Sequence, residues 1–187
     1  MDRKQFIINK KNIGQYLKNR NANLAISEVG RIKEIIKNSG SCFIFKVKIK
    51  VNNKRRSVII KQARDFLKIN PSFKLSPKRL EWEYEALKYF ALAGNKKVLP
   101  EVLWYDDKNY VLALSDVRGD TGKLLKEEIK KGKLHPEIMK DFAELLAEWH
   151  LFSYNKNINL SIKSDKRFSK KWPSFLKNES INDFYTI

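Results

Sequence analysis

A lysine that closes an apolar strand can hold its ammonium firmly against an anion. It also needs a carboxylate partner, because a buried charge without one is costly. Lys61 meets the first condition, following Val58-Ile59-Ile60 and preceding Gln62-Ala63. Candidates for the second lie in a helical stretch further on, at Glu81, Glu83 and Glu85. At about 100° per residue, Glu83 shares a face with Leu80, Tyr84, Leu87 and Phe90. Glu81 and Glu85 fall on the opposite side with Lys88. Lys61 and Glu83 are therefore the expected pair: the ammonium could reach the phosphates of a nucleotide, and the carboxylate would compensate its charge. A solvated strand-end lysine and a glutamate at the edge of a helix would use the same residues.

Two further segments could touch a ligand through backbone groups. Ser39-Gly40-Ser41 lies in a turn of small residues, which lets N–H groups approach an anion closely. The tetrapeptide that contains it, Asn38 to Ser41, could equally be an ordinary hairpin turn. Val111 to Leu114 runs apolar into Ser115-Asp116-Val117, a strand entering a linker. There the Ser115 carbonyl and the Val117 N–H could hydrogen-bond the edge of an adenine ring, or simply mark the end of a strand.

These residues need a sheet and a helix to hold them. Cys42 to Val51 alternates, with Phe43, Phe45, Val47, Ile49 and Val51 on one face and Lys46, Lys48 and Lys50 on the other. That is the pattern of a half-buried antiparallel strand. Asn52-Asn53-Lys54 turns the chain, and Ser57 to Lys61 returns. A first strand region covers 25–36, after a short helix over 9–19 with Ile13, Tyr16 and Leu17 on one face. Ser76-Pro77 opens the next helix, with Ser76 as N-cap; it runs to about Ala93 and stops at Gly94-Asn95. Strands follow at 102–105 and 110–114, joined by Asp106-Asp107-Lys108-Asn109. Arg118-Gly119-Asp120-Thr121-Gly122 breaks the chain, and helices are expected over 122–131 and 136–154. The last carries Ile138, Phe142, Leu145, Leu146 and Trp149 on a wide apolar face. The expected fold is α+β, with a five-stranded antiparallel sheet and one helix over 1–117, then a hinge and the first helices of a helical part over 118–187.

The 39 basic and 21 acidic residues leave a net charge of +18, a field that attracts anions. The lysines are spread rather than clustered, and the aromatic residues sit at core-periodic positions. This argues against a stacking platform for nucleic acid. Cys42 is the only cysteine, so no disulfide can form within the chain. No apolar run is long enough to span a membrane, and the N-terminus lacks the features of a secretory signal. A cytoplasmic protein with no membrane partner is expected.

Several stretches in order resemble one family. They are Val58-Ile59-Ile60-Lys61-Gln62-Ala63, Glu83-Tyr84-Glu85-Ala86-Leu87, Leu99-Pro100-Glu101-Val102 with Tyr105-Asp106, Leu114-Ser115-Asp116-Val117, and Phe142 through His150. Together they are similar to the aminoglycoside phosphotransferase/choline kinase superfamily and, within it, most similar to the methylthioribose kinases, over residues 9 to 155. The resemblance implies a protein-kinase-like nucleotide lobe and transfer of the ATP γ-phosphate to a hydroxyl of a small molecule. It assigns Lys61 to the α- and β-phosphates, Glu83 to orienting Lys61, the Ser39–Ser41 turn to covering the phosphates, and Ser115 and Val117 to holding adenine. The helix ending at His150 would precede the catalytic loop. ATP and Mg²⁺ are the implied cofactors, and a homodimer is compatible with the reading.

The chain departs from the family pattern. Cys42 stands about where the phosphate loop usually has asparagine, and Ser115-Asp116 replaces Glu-Asp at the hinge. Neither of its two histidines, His135 and His150, begins a His-x-Asp, the setting of the catalytic aspartate in this fold. No catalytic base or metal ligand is assigned, and the Mg²⁺ ligands are expected in a C-terminal part absent from this sequence. The chain is then expected to be an N-terminal portion that is inactive alone, with the apolar face of its last helix short of packing partners. The alternatives are a pseudokinase module that binds nucleotide without chemistry and a basic nucleic-acid-binding domain.

Overall fold

The computed structural model describes residues 5–20, 25–35, 41–68, 70–93, 98–119, 121–133 and 135–155. The architecture is α+β. Five strands, β1 (Ile26–Glu34), β2 (Cys42–Val51), β3 (Lys54–Ala63), β4 (Val102–Asp106) and β5 (Val111–Ser115), form one antiparallel open sheet in the order β1-β2-β3-β5-β4. Helix α1 (Ile13–Asn19) precedes the sheet, α2 (Arg79–Phe90) lies between β3 and β4, and α3 (Leu125–Lys130) and α4 (Pro136–Asn155) follow it. Among the described residues, no helix is long and apolar enough to cross a membrane.

The β2–β3 hairpin sets the register. Asn52 and Asn53 both adopt positive φ, +47° and +60°. A two-residue hairpin turn of this kind matches the twist of the flanking strands, and asparagine tolerates the left-handed region. The turn pairs Val51 with Lys54 and carries the ladder without a break to Cys42 opposite Ala63. Ile44 thereby faces Lys61, and Lys46 faces Ile59. On the other side of β3, Lys61 lies opposite Leu112 and Ile59 opposite Leu114. Directly opposed residues share a face, so Lys61 stands among Ile44, Ile59, Leu112 and Leu114.

Both faces of the sheet are covered. Phe45, Val47, Val58, Ile60, Val111 and Ala113 pack with Ile8, Ile13, Tyr16 and Leu17 of the N-terminal segment and α1. On the opposite face Cys42, Ile44, Ala63, Leu112 and Leu114 pack with Leu80, Tyr84 and Leu87 of α2. Alternation along Cys42–Val51 led to the expectation of one wet face. The first half of β2 is instead buried on both sides, and Lys46 is buried with it.

Two polar anchors fix the N-terminal segment. The fully buried Gln62 accepts the Ile8 N–H at 2.8 Å and donates to the Phe6 carbonyl at 2.7 Å. Buried Asp106 takes hydrogen bonds from the Tyr16 hydroxyl and from Asn109 Nδ2, and an ion pair from Arg20 at 2.6 Å. These ties bind α1 to the β4–β5 hairpin.

Helix boundaries differ from expectation at α2. Its first regular residue is Arg79, and Lys78 occupies the cap position without a side-chain bond. The Ser76 hydroxyl accepts the Lys78 N–H at 3.4 Å, and the Ser76 and Pro77 carbonyls take the N–H groups of Arg79 and Leu80. The chain thus enters α2 through a tight turn, with the Ser76 hydroxyl capping the Lys78 N–H ahead of the first regular residue. The expected stop at Gly94-Asn95 lies outside the described residues.

Candidate functional site

Lys61 and Glu83 form the ion pair expected from helical phasing, with Lys61 Nζ donating to Glu83 Oε1. Strand β3 holds the lysine on the face covered by α2. The helix supplies the glutamate from the stripe that buries Leu80 and half-buries Tyr84 and Leu87. Glu81 and Glu85 are exposed, and Glu85 pairs with Lys88 at 3.6 Å along the helix. Below the pair, Tyr84 stacks on Tyr105 with ring centroids 4.8 Å apart, joining α2 to β4. The Lys61 and Glu83 side chains keep 24% and 35% of their exposure. The pair is therefore partly open to water.

Of the small-residue turn, Ser39 and Gly40 lie outside the described residues. Ser41 is exposed, and its carbonyl accepts a hydrogen bond from Arg79 Nη2. Arg79 Nη1 also donates to the carbonyls of Arg64, at 2.8 Å, and Ser76, at 2.8 Å. One guanidinium therefore ties the start of β2, the end of β3 and the entry to α2. Burial lowers the Arg79 pKa, against the opposing effect of Cys42 and Asp65. Sequence reasoning passed over this arginine, which looked like one more surface cation at a helix start.

Ser115 ends β5, three residues beyond Leu112, the partner of Lys61. At about 3.3 Å per residue the separation along the strand is roughly 10 Å. The Ser115 N–H donates to the Glu101 carbonyl at 2.9 Å, and the Glu101 N–H goes to the Ser115 hydroxyl at 2.8 Å. Val117 is exposed, in a turn that Gly119 closes with a positive φ of +58°. Lys61, Glu83 and Ser115 thus belong to one framework of sheet and helix, and Val117 follows directly from it.

The unexpected member is Lys46. Its ammonium pairs with Asp116 at 2.7 Å and donates to the Gly119 carbonyl at 2.5 Å. Asp116 keeps only 4% of its side-chain exposure. In the sequence, Lys46 shares the alternation of Lys48 and Lys50 and carries no separate signal.

Among the described residues, no group of three or more His, Cys, Asp or Glu side chains could hold a metal ion. Comparison with protein-family models and with curated proteins finds no match for the chain.

Proposed function

We propose that this chain provides the nucleotide-binding lobe of an ATP-dependent small-molecule phosphotransferase with a protein-kinase-like fold. The observation that carries the reading is the Lys61–Glu83 pair, formed between a central strand and helix α2, which packs on that sheet face. In such a lobe Lys61 neutralises charge on the α- and β-phosphates, and Glu83 holds the ammonium in place. The strand end at Ser115, roughly 10 Å along β5 from the partner of Lys61, and the exposed Val117 that follows it are the groups proposed for the base. What supports ATP as the ligand is the Lys61 ammonium, a cation able to meet phosphate, on this face. Among the described residues no group of three or more His, Cys, Asp or Glu side chains offers Mg²⁺ a site; bound with the nucleotide, the metal would supply charge neutralisation during transfer. The complete reaction moves the γ-phosphate to a hydroxyl, and this chain contributes binding and orientation.

A non-catalytic nucleotide-binding module is the second reading. It is favoured by the lack of any His-x-Asp in the 187 residues. Calorimetric titration with ATP, with and without Mg²⁺, tests the common core of both readings. Saturable binding to the chain, lost in Lys61→Ala, is expected. Binding that is absent, or indifferent to Lys61, would remove the nucleotide site. Phosphate release or transfer with sugar and amino-alcohol acceptors separates the enzyme from the module.

A further inference from the structure

Lys46 sits on the same sheet face as Lys61, opposite Ile59, at a position where the strand's other inward residues, Cys42 and Ile44, are apolar. Burying an ion pair brings little net stability, and apolar residues of similar volume often serve as well or better. A charged pair here calls for a role that an apolar contact would not fill, and geometry supplies one. Asp116 and Gly119 both lie beyond the last residue of β5, outside the ladder. Lys46 reaches past the sheet and binds the first through its carboxylate and the second through its carbonyl. On the other flank Glu101 holds Ser115 by two hydrogen bonds. The backbone from 115 to 119 is therefore tied on both sides, and the exposed Val117 lies between the ties.

We propose that Lys46 and Asp116 are positioning residues that fix the backbone of residues 115–119 for contact with a nucleobase. This rests on the nucleotide reading above and deepens it. Lys61 and Glu83 would govern the phosphate end, and Lys46 and Asp116 the base end through the backbone they hold. The two ends are then separable by ligand: inorganic tripolyphosphate reports the first alone, and ADP reports both.

The test uses Asp116→Asn and the double variant Lys46→Met/Asp116→Asn, which removes both charges and so strands neither. Amide hydrogen exchange over residues 115–119 reads the fastening without any ligand, and faster exchange than wild type is expected in both variants. Affinity for ADP should fall about tenfold, the loss expected when the competent backbone conformation drops to about a tenth of the population. Tripolyphosphate should bind both variants as it binds wild type, whereas Lys61→Ala should weaken both ligands. Unchanged exchange over 115–119 in a folded variant would overturn the fastening. Faster exchange with undiminished ADP affinity would overturn the role at the base. Wild-type protein that binds tripolyphosphate but gains nothing from the nucleoside would overturn the base role and leave the phosphate clamp standing. Wild-type protein that binds neither ligand would overturn the nucleotide reading and the base role together, with the exchange data still deciding the fastening.

Discussion

Glu83 can be removed with little harm to the fold, because its ion pair with Lys61 is partly open to water and such pairs contribute about 0–1 kcal/mol. Its effect on a ligand should be larger, since a misplaced Lys61 forfeits a charge-assisted hydrogen bond worth about 1.5–3 kcal/mol. Glu83→Gln is therefore expected to leave the melting midpoint close to wild type and to weaken ATP binding about ten- to a hundredfold, as measured by titration. Glu81→Ala and Glu85→Ala should bind ATP normally, since both residues point away from the sheet. Asp106 behaves differently. Burial raises its pKa, but the hydrogen bonds from Tyr16 and Asn109 and the Arg20 charge outweigh it, so the carboxyl is held below its usual range. Its contribution to stability is full above the unfolded value of about 3.9 and is lost as pH falls through the lower folded value. Chemical denaturation as a function of pH should show this loss in wild type and a smaller one in Tyr16→Phe, which lacks one of the bonds that favour the ionised form. Lys61, Glu83 and their relation were legible in the sequence because helical phasing is a local property. Lys46 was not, because its partner is distant in sequence and alternation alone labels it solvent-facing.

At the scale of elements, strands and helices fell close to expectation where periodicity is strong. Strand β2 has the expected bounds, Cys42 and Val51, and the two-asparagine turn needed no tertiary help. The regular part of α2 begins at Arg79, two residues after Pro77, although the Ser76 hydroxyl still accepts the Lys78 N–H as an N-cap would. Helix α4 is divided in character. Trp149 stacks on Phe90 of α2 at 4.7 Å, whereas Ile138, Met139 and Phe142 are exposed. Replacing exposed side chains normally changes stability by no more than about 0.5 kcal/mol. Ile138→Gln with Phe142→Gln should accordingly leave the denaturation midpoint unchanged while lowering the apparent mass in light scattering at high concentration, since exposed apolar patches promote association. A large drop in stability would mean that this face is buried in solution.

The whole molecule carries +18, and any polyanion will feel that field. Binding to single-stranded RNA should be weak and independent of sequence, with log K falling linearly against log salt as counterions are released. On the proposed nucleotide reading, ATP binding through Lys61 should depend on salt less steeply, because fewer charges are neutralised. Competition between the two across a salt series checks this. RNA affinity that survives high salt would revive a nucleic-acid role. The sequence by itself determined the α+β class, the strand hairpins and the inward placement of Glu83, because each follows from local turn chemistry or from periodicity within one element. Only the tertiary structure decided that β2 is covered on both faces, that Arg79 gathers three backbone segments, and that Lys46 grips Asp116 and Gly119. Those contacts join residues far apart in the chain, and which of them meet depends on the order β1-β2-β3-β5-β4, a property of the assembled sheet and of no single strand.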